Sequence, residues 1–353
     1  MNTIIKWPGG KEKELPVIRK YTPQYKGRFV DPFVGGGSVF FDTTSEKCHI
    51  NDKSKDLINL YMCAKDGDKD LEKYLNKLLV EFTSIGIFVE KNKKDVLDLY
   101  HSNITVENFL IKHKGFFSSL AEGSEIFMKE IKKNLTSKIK RSEKLEQENG
   151  EIPDSDRLDN MESALKSAYY MYVRYLHNHS DDLSCGYKSA VFFFIREYCY
   201  SSMFRYNAKG EFNVPYGGIS YNRKDFQKKI ERLLSTEMKS KLKNAEISCV
   251  DFEDFLDRLE LTTDDFVFLD PPYDSDFSTY AKNPFGKEEQ IRLCDFLKKT
   301  KAKVLLVIKN TDFIYDLYKD DFNITSFDKK YMVSFMNRNN KKAEHLVITN
   351  YAV

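Results

Sequence analysis

The sequence predicts an α/β fold: a mixed, mainly parallel sheet with helices on both faces, plus a mostly helical insert. Three observations point there. Short strand-like runs recur at Phe29-Val30, His49-Ile50, Glu246 to Val250, Val267 to Leu269, Val304 to Ile308 and Leu346 to Ile348, with helix-sized spacers between most of them. Two of these runs open into turns rich in Gly, Pro and Asp, at the strand ends where open α/β sheets bind ligands. Residues 65–160, in contrast, are rich in Lys, Glu, Asp and Asn and carry few strand signals. At 353 residues the chain is long enough for one large domain and an accessory one. The expected division is 1–64 with 240–353 for the sheet-bearing part and 65–239 for the insert.

In chain order, Lys6-Trp7-Pro8-Gly9-Gly10-Lys11 precedes the first strand. That strand runs through Phe29 to Asp31 into Pro32-Phe33-Val34-Gly35-Gly36-Gly37-Ser38, a turn that lets a ligand lie against bare backbone. An apparent helix follows, and the second strand, near Cys48 to Ile50, ends at Asn51-Asp52. An acid about 20 residues beyond such a glycine turn is where the ribose hydroxyls of a nucleotide are usually held.

The insert carries a basic run, Lys132, Lys133, Lys138, Lys140 and Arg141. It fits either a grip on DNA phosphates or a solvated helix face, and interspersed acids favour the second. Residues 143–156 read as a solvated turn, and a helix is expected from Met161, with Leu165, Tyr169, Tyr172 and Leu176 on one packing stripe. Phe192 to Gly218 begins as an apolar helix and breaks into a loop holding Tyr200, Ser201, Arg205, Tyr206 and Asn207. Arginine is the side chain best suited to a bidentate grip on guanine.

The strand Phe266 to Leu269 ends at Asp270-Pro271-Pro272-Tyr273. Each part has a use if the substrate is a flat ring with an exocyclic amine. Asp270 and the Pro271 carbonyl can accept hydrogen bonds from the amine, the prolines stiffen the turn and remove competing donors, and Tyr273 can stack on the ring.

Composition sets limits. The formal net charge is +2 with 31% charged residues, so a nucleic-acid partner would need a local basic face. The six cysteines form no CxxC pair and read as reduced thiols. His177 and His179 have no completing ligands, so no metal is expected. No apolar stretch is long enough to span a bilayer, so a cytoplasmic location and no membrane partner are expected.

Together the N-terminal motif, the glycine turn, the RYN segment at Arg205 to Asn207 and the DPPY tetrad, in that order, resemble the Dam-type, or D12 class, S-adenosylmethionine-dependent DNA N6-adenine methyltransferases. The resemblance spans roughly residues 3–62 and 190–351, where Tyr331 to Tyr351 looks like the closing strands; residues 63–189 do not match the shorter relatives. It implies a Rossmann-like methyltransferase sheet with a helical target-recognition domain, of bacterial or phage origin. It implies S-adenosyl-L-methionine held by Lys6, Trp7, Gly9, Gly10, Asp31, Pro32, Phe33, Gly35, Gly37, Ser38, Asp52 and Asp270. Catalysis would fall to Asp270, Pro271, Pro272 and Tyr273.

On the same resemblance, double-stranded DNA would be met by Lys11, Tyr200, Ser201, Arg205, Asn207, Asn337 and Arg338, with Arg205 reading guanine, GATC being the expected site, and Tyr200 and Ser201 near the place vacated by the flipped base. The family's better-known members carry Asn where Ser201 stands. A cognate restriction endonuclease and a monomeric state are further expectations. N4-cytosine methylation and a catalytically idle DNA-binding relative are the alternatives. A nicotinamide enzyme fits less well, because GxGxxG spacing is missing.

Overall fold

The computed structural model describes residues 3–272, 285–330 and 342–352. The chain divides into two compact units, Met1–Asp66 with Thr236–Val353, and Gly67–Ser235.

The first unit is built on seven described strands: β1 (Phe29–Asp31), β2 (Cys48–Asn51), β3 (Ala245–Ser248), β4 (Phe266–Leu269), β5 (Lys303–Lys309), β6 (Asn323–Lys330) and β7 (Lys342–Thr349). Their order in the sheet is β3-β2-β1-β4-β5-β7-β6. The first five are parallel, and β7 slots antiparallel between β5 and β6. Every residue of β4, and Val304 to Ile308 of β5, is buried. Such unbroken apolar runs are what a sheet covered on both faces requires. One face packs Val30, Val267, Leu269, Leu306 and Ile308 against Leu293, Leu297 and Ile314 from the helices Lys287–Lys299 and Asp312–Tyr318. Because β1 pairs with β2 on one side and β4 on the other, the strand order reverses at β1, which opens a crevice at the strands' carboxyl ends.

The apparent helix between β1 and β2 does not form. Residues 32–47 are turns and bends, although Phe41 N–H to Gly37 O at 2.8 Å and Thr43 N–H to Val39 O at 2.9 Å close single helical turns. Gly35 at φ 48° and Gly37 at φ 76° lie in the left-handed region and break any helix begun there. The helix comes instead after β2, at Lys55–Asp66. Of the closing strands, β7 lies within the segment expected for both and β6 lies ahead of it, while residues 331–341 fall outside the described residues.

The second unit is helical. The helices Lys69–Lys91, Asp154–Asn178 and Cys185–Tyr198 meet through a cluster of rings, with Phe82 4.3 Å from Tyr198, 5.3 Å from Phe194 and 6.2 Å from Tyr169 between centroids. Leu165, Tyr169 and Tyr172 are buried and Leu176 is half-buried, so the stripe is packing. The turn expected over 143–156 is shorter: the helix Glu125–Asn149 continues through most of it, Gly150 at φ 89° ends it, and the next helix starts at Asp154. Glu146 explains the extension, since it accepts from Arg157 Nε at 3.1 Å and from the Tyr100 hydroxyl at 3.0 Å. No helix among the described residues is long and apolar enough to cross a membrane.

Candidate active site at the carboxyl ends of β1, β2 and β4

The N-terminal motif packs on the glycine turn. Lys6, Gly9 and Gly10 are exposed and Trp7 is half-buried, with the Trp7 carbonyl accepting from Gly10 N–H at 3.1 Å. A side chain at Gly35 would come within 2.7 Å of Trp7 Cδ1, so that position needs glycine for space as well as for its backbone angle. Ser38 Oγ accepts from Lys11 N–H at 3.2 Å, and the Tyr61 hydroxyl donates to the Gly35 carbonyl at 2.7 Å. Pro32 and Gly37 are buried in the same turn, and Phe33 packs 5.5 Å from Phe252 and 5.4 Å from Phe285.

Three acids mark three strand ends. Asp31, buried at the end of β1, accepts from Phe33 N–H at 3.1 Å. Burial above all, then the neighbouring Asp270 and Asp52 carboxylates, pushes it well above the usual range. Asp52 follows β2 and accepts from Gly35 N–H at 3.0 Å and Ser54 N–H at 2.8 Å. Desolvation outweighs those two bonds and pushes it up to about 6. Asp270 follows β4 and forms an ion pair with Lys11.

Lys11 is a correction. Assigned from the sequence to the DNA, its side chain is only 1% exposed, and its ammonium donates to the Gly9 carbonyl at 2.9 Å as well as to Asp270. A buried cation needs an anionic partner, and the half-buried Asp270 supplies it.

Two positioning residues were missed. Asn51, 1% exposed at the end of β2, donates from Nδ2 to the carbonyls of Pro32 and Val250, each at 3.1 Å, and accepts from Val250 N–H at 3.0 Å. It thereby ties together the turns after β1, β2 and β3. A polar amide closing a buried strand was the available signal, since Asn is depleted in strands. Gln290, fully buried, donates from Nε2 to the Pro272 carbonyl at 3.2 Å and so fixes the turn after β4. Nothing in its amphipathic helix marked it.

The loop after Cys185–Tyr198 belongs to the second unit. Tyr200 is 42% exposed, and Ser201 is exposed at φ 51°. Arg205 turns inward: its Nε donates to the Asn213 carbonyl at 3.0 Å, and Nη2 donates to the same oxygen. The Asn207 carboxamide bonds Glu211 Oε2 at 2.7 Å and accepts from Lys209 and Glu211 N–H at 3.0 Å, closing the tip between Tyr206 and Phe212. Both side chains assigned to the DNA thus hold their own turn in this conformation. Tyr273, Asn337 and Arg338 lie outside the described residues. Among the described residues no group of three or more His, Cys, Asp or Glu could hold a metal ion.

A mainly parallel α/β sheet with an inserted antiparallel strand, carrying an acid at each of three adjacent strand ends, is the architecture of a Rossmann-like methyltransferase. The chain belongs to the D12 class of N6 adenine-specific DNA methyltransferases, whose family profile matches residues 7–122 and 120–333. The match includes the insert that the resemblance had left out.

Among its relatives, the Type II methyltransferase M.CviBI of Paramecium bursaria Chlorella virus NC1A is 28% identical over 99% of this chain and 100% of its own. The Type II methyltransferase M.MjaIII of Methanocaldococcus jannaschii is 29% identical over 99% and 98%. The DNA adenine methylase of Vibrio cholerae (El Tor Inaba N16961) is 24% identical over 88% and 81%.

Proposed function

We propose that this enzyme methylates N6 of an adenine swung out of double-stranded DNA, with S-adenosyl-L-methionine as donor. The observation that carries the proposal is the convergence of Asp31, Asp52 and Asp270 on one crevice, with Asp270 paired to Lys11. The residues suit the donor: Asp52 offers a half-buried acceptor for ribose hydroxyls beside the glycine turn, whose Gly35 N–H it already engages.

The donor supplies an electrophilic methyl carbon on a sulfonium. The chain's task is to hold the nucleophile. Adenine's amino lone pair is delocalised into the ring, so Asp270 and the Pro271 carbonyl would accept its two N–H bonds and direct the lone pair out of the plane. Positive charge growing on N6 would be offset by the Asp270 carboxylate already in place. Lys11 acts through Asp270, fixing the orientation of its carboxylate through the ion pair. A buried amine inside a duplex can reach this turn only after extrusion.

The unit Gly67–Ser235 is proposed to read the target, with Tyr200 and Ser201 at the vacated stack. Arg205 and Asn207 would have to leave their present bonds to touch a base. GATC is the proposed site, with a cognate endonuclease, a monomeric state and a cytoplasmic setting as further proposals.

Incubation of duplexes with methyl-labelled S-adenosylmethionine, digestion and identification of the labelled nucleoside tests the reading. N6-methyladenine is expected; N4-methylcytosine as the sole product overturns it.

A further inference from the structure

We infer that Arg196 is a positioning residue that builds the loop 199–203 into a rigid wedge before any DNA arrives. This rests on the proposed role of Tyr200 and Ser201 at the vacated base.

Arg196 lies near the end of the helix Cys185–Tyr198 and is 0% exposed. A guanidinium remains charged in proteins, so its burial demands acceptors. It finds them in the loop itself. Nη1 donates to the Met203 carbonyl and Nη2 to the Ser202 carbonyl, each at 2.6 Å, and the guanidinium carbon lies 3.7 Å from the Phe204 ring centroid. A planar fork serving two successive carbonyls is a geometry that lysine cannot reproduce.

The backbone it clamps is unusual. Ser201 and Ser202 both sit at φ 51°, in the region that disfavours side chains other than glycine. Such a conformation persists only where the surroundings over-determine it, and it is concentrated at functional sites. Three other bonds complete the frame: Tyr200 N–H to the Pro215 carbonyl at 2.8 Å, Gly217 N–H to the Tyr198 carbonyl at 3.0 Å, and Ser201 N–H to the Tyr221 hydroxyl at 3.1 Å. Tyr221 is itself held beneath the Lys224 ammonium, 3.7 Å from the ring centroid. The buried side therefore fixes the backbone, while the side chains of Tyr200 and Ser201 face solvent.

A preformed wedge lowers the ordering cost of holding an extruded nucleotide out of the stack. Ser201 is short, so it fills a vacated space poorly by itself, and rigidity of the loop must serve where bulk does not.

The test is Arg196→Lys on the full chain, with a duplex carrying 2-aminopurine at the target adenine to report extrusion. The expected result is a loss of roughly tenfold or more in fluorescence amplitude and single-turnover rate, with S-adenosylmethionine affinity and duplex affinity within about threefold of wild type. A wild-type fluorescence response retained in folded Arg196→Lys overturns the inference. If that variant does not fold, Tyr221→Phe removes only the acceptor for Ser201 N–H. It should lower the extrusion signal in the same direction, and an unchanged signal overturns the inference. A wild-type enzyme that neither extrudes nor methylates adenine instead sinks the underlying reading.

Discussion

Lys11 and Asp270, separated by 259 positions in sequence, form an ion pair with a lysine side chain only 1% exposed. The pair ties the N-terminal motif to the turn after β4. It gives the conspicuous tetrad a partner that lies nowhere near it in the chain.

Replacing Lys11 by Met should therefore act at Asp270 rather than on DNA affinity. Removal of one member of a largely buried pair leaves the other uncompensated, at a stability loss of about 2–3 kcal/mol. The methyl-transfer rate should fall on the order of 100-fold because the carboxylate loses its fixed orientation. Denaturant melts and single-turnover assays check both; an unchanged rate with weakened duplex binding would return Lys11 to the DNA.

Asn51 makes a second prediction. Asn51→Leu removes three hydrogen bonds and leaves Val250 N–H and two carbonyls without that partner. Stability should drop by about 2–4 kcal/mol, and donor affinity should fall with it, since Asp52 is the next residue. Calorimetry with S-adenosylmethionine on the folded variant measures the second effect, and wild-type affinity would separate Asn51 from the site.

The pH dependence follows from Asp52, raised from 3.8 to about 6. For a carboxyl raised on folding, the stabilisation is fullest below 3.8 and is lost as pH rises through about 6. Ligand binding has the opposite sense, because ribose hydroxyls need the ionised acceptor. S-adenosylmethionine should raise Tm more at pH 7.5 than at pH 5, read by thermal shift at a fixed ligand concentration. An equal or larger shift at pH 5 would remove Asp52 from the ribose.

The sheet was legible because strands such as Phe266–Leu269 and Lys303–Lys309 are apolar runs whose burial leaves little alternative. The positions of Asp31, Asp52 and Asp270 at strand ends were legible because strand-end turns carry local signatures. Partnerships were not. Lys11 was placed near DNA by the family resemblance, whereas its burial depends on a carboxylate supplied by a distant strand. Arg205 was chosen by residue type, yet the Asn213 carbonyl that engages it is a backbone atom that no side-chain pattern can reveal. The supposed helix after the glycine turn failed because apolar content at Val39, Phe40 and Phe41 was read without the backbone angles of Gly35 and Gly37.

The most direct measurement is the comparison of Asp270→Ala with wild type in two assays, equilibrium binding of S-adenosylmethionine and single-turnover methylation of a duplex. The account predicts nearly intact binding with methyl transfer abolished. Full activity in the variant would contradict it.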